Sequence, residues 1–174
     1  MQLEIPIENL LNLQLKVPRE SYTKFQEMMA IATNEVLKTF KPEKVMYINF
    51  LMWISTYCDC MGLGQPSIVN DIGVVGSKDI VAVETATLDL IKQEGLIEKN
   101  IPPYFKHVNL NPDEDLHPFT RVHGPYKNPY ETVVFAEKMG MGTSNYELIE
   151  ILSPEETMKM EPPKREFEGE PTFF

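Results

Sequence analysis

Cysteine is nearly absent. The chain of 174 residues holds two, Cys58 and Cys60, with Asp59 between them. So few exclude a disulfide scaffold, which needs several paired cysteines. Joining these two to each other would close a very small, strained ring. Reduced thiols fit a reducing compartment, so a cytoplasmic protein is expected. Positive charge is also short: 16 Lys and Arg face 26 Asp and Glu, a net charge of −10. No basic run is present. Nucleic acid is a poor partner for such a chain, because phosphate neutralisation needs clustered cations. An anionic membrane surface is a poor partner on the same ground.

Other signals are missing too. No apolar run approaches the roughly 20 residues that span a bilayer. Met1 to Leu15 lacks a basic start and is interrupted by Glu4, Glu8 and Asn9, so neither a secretory leader nor membrane insertion is expected. Gly62-x-Gly64 lacks the third glycine of a dinucleotide loop, and no Walker Lys-Ser/Thr follows it. Without a Gly-x-Ser-x-Gly elbow, a hydrolase triad has no support.

What remains is an ordinary globular composition, 43% hydrophobic and 24% charged, long enough to bury one core. Three regions are expected: residues 1–20 as a docking segment, 21–152 as an α/β domain, and 153–174 as an extended or flexible tail. Leu10, Leu11, Leu13 and Leu15 of the first region have no clean period and suit docking on the domain or on another subunit. The tail is rich in Pro and Glu and too polar for a core of its own.

Within the domain, Phe25, Met28, Met29, Ala32, Val36, Leu37 and Phe40 recur at helical spacing and predict a helix over 21–40. Thr23 and Gln26 have capping-box spacing. The run from Val45 to Ile54 is apolar, β-branched and aromatic, and reads as a buried strand. Ile68-Val69 and Ile72 to Gly76 predict a second strand region. A helix is expected from Ser77 or Asp79 to Glu94, with Ile80, Val83, Thr87, Leu90 and Ile91 as its stripe and Gly95 as its stop. Leu96 to Lys127 has little period and reads as a long functional or interface loop. Asn128-Pro129-Tyr130-Glu131 opens a helix that ends before Gly140. Asn145 to Leu152 is expected as a final strand. The fold class is thus α/β, a small mixed sheet layered by helices.

The pair Cys58 and Cys60 follows the carboxyl end of the first predicted strand, an edge favoured by ligand sites in open α/β sheets. In extended backbone, residues two apart face one side, so both sulfurs can face one metal. The bland alternative is two small buried hydrophobes. Two thiolates do not complete a four-ligand site. Three completions are open: a homodimer pooling two segments, a partner protein donating thiols, or Asp59, Asp71 or a histidine joining in cis to give a zinc or mononuclear iron site. Asp71 also suits a loop-holding role, Asp79 a helix cap, and Asp89 a packing carboxylate. His107, His117 and His123 match no zinc spacing and serve equally well in interface loops.

Several words in order carry a resemblance: Phe25-Gln26-Glu27-Met28, Tyr47-Ile48-Asn49-Phe50, Cys58-Asp59-Cys60, Pro66 to Gly73, Ser77 to Ala82, Leu88 to Ile91, Ala136 to Gly142 and Tyr146-Glu147-Leu148. From about Phe25 to Ile151 the chain resembles the carboxyl-terminal half of the domain-of-unknown-function 362 family, whose members are associated with iron–sulfur centres. The resemblance implies an iron–sulfur cluster as cofactor, with Cys58 and Cys60 as its thiolates. Relatives carry a further amino-terminal region, and many carry ferredoxin-type cysteine runs. Those features are expected here on other protein subunits. The implied role is a subunit of an anaerobic redox complex engaged in electron transfer. The alternative is a structural or assembly subunit with no metal site.

Overall fold

The computed structural model describes residues 18–57, 65–101, 115–124 and 127–151. Helix α1 spans Arg19–Leu37 and strand β1 spans Tyr47–Leu51, with a short 3-10 turn between them at Pro42–Lys44. Strand β2 follows at Gly73–Ser77, then helix α2 at Ile80–Glu94, α3 at Pro118–His123 and α4 at Tyr130–Lys138. The α/β class is as the sequence implies. Among the described residues the sheet has two antiparallel strands, with Phe50 opposite Val74 and Ile48 opposite Gly76.

Helix α2 is the hub of the domain. Asp79 caps it by accepting from Ala82 N at 3.0 Å, and Gly95 ends it at φ +80°, a conformation that favours glycine. It packs on both strands and on α4. Its buried side chains are Val81, Val83, Ala86, Leu88 and Ile91, a wider band than the predicted stripe because the helix is covered on two sides. Ile91 belongs to a core with Leu51, Ile68, Val69 and Val122. Val81 and Leu88 belong to a second core with Ala30, Val133 and Ala136. Burying each large aliphatic side chain contributes about 1.5–3 kcal/mol, so α2 joins the two cores into one domain.

Four expectations are corrected. Ile68 and Val69 are fully buried but form no strand. Ile68 N donates to Ile54 O and Ile97 N donates to Ile68 O, both at 2.7 Å, so the segment is tied into the core by irregular bonds. Asn145 to Ile151 is not a strand either. Side chains satisfy its neighbouring amides: Thr143 N donates to Asp79, Ser144 N to Glu137 and Asn145 N to Thr143 Oγ1. Thr23 and Gln26 do not cap a helix, because α1 begins earlier, after Pro18; both donate instead to Glu131 of α4. The region from Leu96 to Lys127 contains a short helix, α3, that its sequence did not announce.

Helix α1 holds a fifth surprise, and it bears on function. Ala30 is its one buried residue. The helix turns Thr23, Gln26, Ala30 and Thr33 toward the body, where Gln26 and Thr23 bond α4. Phe25, Met28, Met29, Ala32, Val36 and Phe40, read as the core stripe, are exposed.

Candidate functional site

The end of β1 leads into a cleft. Ser55, Thr56 and Tyr57 form one wall, α3 gives Phe119 and His123, α1 gives Tyr22 and Gln26, and Lys127 to Pro129 close the far side. Its volume is about 470 Å³, within the range of small-molecule sites. Each wall is held from behind. Thr120 Oγ1 donates to Lys127 O at 3.2 Å and Lys127 N to Gly124 O at 3.1 Å. Asn128 Oδ1 accepts from Tyr130 N at 3.1 Å, which fixes the entry into α4.

The electrostatics of the cleft are those of a positively biased surface. Lys127 Nζ lies over the Tyr22 ring, 4.6 Å from its centroid, a cation–π contact contributing roughly 0.5–2 kcal/mol. Burial holds the Lys127 ammonium below its ordinary value. The ion pairs among the described residues join Lys38 to Glu35, Lys92 to Asp115 and Arg121 to Glu98, so Lys127 has no carboxylate partner there. His123 is brought down to about 4, first by burial and then by repulsion from Lys127, against a hydrogen bond to the Thr56 backbone. It is neutral at pH 7, with its ring 5.8 Å from that of Tyr57. Thr56 is 3% exposed and its Oγ1 has no hydrogen-bond partner among the described residues, an arrangement costly unless something answers it.

The residues singled out by sequence are dispersed. Cys58, Asp59, Cys60 and His107 lie outside the described residues, as does Gly62-x-Gly64. Tyr57, on the cleft wall, is the residue before Cys58 in the chain. Asp71 Oδ1 accepts from Trp53 N at 2.7 Å and braces Trp53 at φ 55°, the left-handed region that bulky residues avoid. This is the loop-holding role. Asp79, besides capping α2, accepts from Thr143 N at 3.0 Å. A Cβ on Gly142 would fall 1.9 Å from Asp79 Oδ1, so that approach requires glycine.

His117 is a packing histidine. It is 4% exposed and caps α3 by accepting from Phe119 N on Nδ1 at 3.1 Å. Its Nε2 lies 3.1 Å from Leu88 O, which assigns the proton to Nε2. Burial brings it down to about 4, with Leu88 opposing. Asp89 is a clamp rather than a simple surface acid. Tyr130 donates to its Oδ1 at 2.8 Å and Tyr146 to its Oδ2 at 2.7 Å. Among the described residues no three His, Cys, Asp or Glu side chains converge as a metal-ligand set.

No family model, curated protein or solved structure matches the chain.

Lys127, Thr56 and Tyr22 escaped sequence reasoning. Nothing in their local pattern marks them, since the three come from separate segments that meet only in the fold. The one available signal was a lysine immediately before the Asn128-Pro129 helix start in an acidic chain.

Proposed function

We propose that the chain is a subunit of a larger protein assembly and that α1 is a docking helix for a different polypeptide. The outward stripe of α1 carries this reading. Phe25, Met29 and Val36 recur at helical spacing and are 62%, 48% and 58% exposed, and Phe40, in the turn just past the helix, is 56% exposed. A helix that bonds its own domain through Thr and Gln, while presenting Phe and Met to water, has its apolar side reversed for a monomer. A second surface points the same way. The outer face of the sheet displays Ile48, Phe50 and Val74, and Met46 lies over Gly76. No helix among the described residues is long and apolar enough to cross a membrane. A second copy is a poorer occupant than a less acidic chain, because each copy adds a charge of −10.

Within such an assembly, Cys58 and Cys60 supply thiolates to an iron–sulfur or related metal centre. Support comes from the Cys-x-Cys spacing and from the resemblance of the ordered words to the 362 family. The donor set fits only as part of a site: the described residues offer no ligand cluster in cis, and both ring nitrogens of His117 are engaged. In this reading the remaining ligands come from a partner chain. A bound cluster would supply one-electron transfer, while this chain's part is to hold two sulfurs and exclude water.

The test is anaerobic purification from the native host, with co-purifying chains identified and their stoichiometry, iron and sulfide measured. The expected result is a fixed-ratio complex that Phe25→Asp with Val36→Asp dissolves without unfolding the subunit. A wild-type chain that purifies as a free monomer refutes assembly. A complex whose wild-type form lacks metal refutes the thiolate role and leaves an assembly subunit. Iron lost on replacing Cys58 and Cys60 by Ser supports it.

A further inference from the structure

We infer that the cleft between α1, α3 and the end of β1 is a binding site for a small molecule with one anionic group on an aromatic body. This site is independent of the assembly reading and needs neither cysteine. Three observations converge on it. The first is Lys127, a half-buried cation with no carboxylate partner among the described residues, in a chain where acids outnumber bases by 26 to 16. A lysine placed for solubility would be solvated, and one placed for stability would meet one of those acids. Lys127 meets the face of Tyr22 instead, so its ammonium keeps capacity for an anion.

The second observation is Thr56, a residue 3% exposed whose Oγ1 is itself buried and has no hydrogen-bond partner among the described residues. It lines the same cleft as Lys127. A hydroxyl both donates and accepts, so a turn about χ1 that brings Oγ1 to the cleft lets it donate to a carboxylate or phosphoryl oxygen and gain the hydrogen bond it lacks. The third is the wall between them. Tyr22, Tyr57 and Phe119 give the cleft an aromatic lining that suits stacking or edge contacts with a ring. His123, neutral in this setting, adds a polar group without adding a second charge. The volume of about 470 Å³ holds a ring and its acid but not a dinucleotide or a peptide of any length. The acidity of the whole chain acts against anions at long range. Salt screens that field over about 8 Å, whereas Lys127 acts in contact.

Carboxylates and phosphates share this chemistry, and probes of both kinds separate them. The full chain, labelled with nitrogen-15, is titrated with benzoate, phenyl phosphate and neutral benzamide, and amide resonances are followed. The expected result is saturable, coincident shifts at Thr56, His123 and Lys127 with at least one of the two acids, and at least tenfold weaker binding of benzamide. Lys127→Gln should weaken the acid at least tenfold and Lys127→Arg should keep it. Lys138→Gln, at an exposed lysine that also lies over a ring, Phe135, should change nothing. Retained spectral dispersion shows that each variant is folded. Should Lys127→Gln unfold, Thr56→Val replaces it, with the same tenfold loss expected. No saturable shift with either acid, equal binding of benzamide, or binding indifferent to Lys127 and Thr56 overturns the inference.

Discussion

Replacing Asp89 by Ala should loosen the packing of α4 and the following segment on α2. The carboxylate accepts from Tyr130 at 2.8 Å and from Tyr146 at 2.7 Å. A hydrogen bond to a charged group contributes about 1.5–3 kcal/mol when buried. Both Tyr130 and Asp89 are half-buried, so the first bond is set near the bottom of that range, about 1.5 kcal/mol. Tyr146 is 37% exposed, water replaces much of its bond, and roughly 0.5 kcal/mol is the expectation. Asp89→Ala should therefore lower unfolding stability by about 2 kcal/mol, equivalent to roughly 4–8 °C in Tm for a chain of this size. Tyr130→Phe should cost about 1.5 kcal/mol alone and almost nothing further in the Asp89→Ala background. Urea denaturation followed by far-UV circular dichroism measures each leg of the cycle. A loss below about 0.5 kcal/mol in Asp89→Ala, or strict additivity with Tyr130→Phe, refutes the clamp. The phenols give a second readout. Burial and then the Asp89 bond raise Tyr130, and the same causes bring Tyr146 up to about 12. A group raised in the folded state stabilises below its unfolded value near 10 and loses that contribution as pH climbs through its folded value. Phenolate absorbance should therefore appear at lower pH in Asp89→Ala.

Two other outcomes follow from the same geometry. His117 and His123 both titrate near 4 when folded and near 6.5 when unfolded. The unfolded chain thus binds more protons between those values, and stability should fall as pH drops from about 6.5 toward 4. His117→Asn should remove about 2–3 kcal/mol of that fall, read as the difference in urea midpoint between the two pH limits. Gly142→Ala should cost about 1–2 kcal/mol, because its Cβ displaces the Asp79 carboxylate from Thr143 N and strains the α2 cap. Combined with Asp79→Ala, it should add less than its single cost, and a fully additive pair of midpoints counts against the shared contact.

The elements that sequence located are those with local causes. The Asp79 cap and the Gly95 stop place α2, and Asn128-Pro129 places α4, because each signal acts within one turn. The α1 stripe has the right period but the opposite face. Periodicity reports that a helix has an apolar side, not which surface covers it. Asn145 to Ile151 is not the predicted strand; just before it, the amides of Thr143 and Ser144 are held by Asp79 and Glu137, contacts that local pattern does not reveal. The cleft was invisible for a related reason: Tyr22, Thr56 and Lys127 come from three segments, and their relation exists only after folding.

Trp53, the chain's single tryptophan, stands just beyond β1 in a conformation braced by Asp71. It is 67% exposed, in sequence beside the outward Phe50 and Met52. Indole emission shifts to shorter wavelength as water leaves the ring. The protein therefore carries an intrinsic optical gauge of whether that corner is covered. Unlabelled subunit, mixed with a candidate partner free of tryptophan, would report occupancy directly by colour, and it would do so without any change to the surface being read.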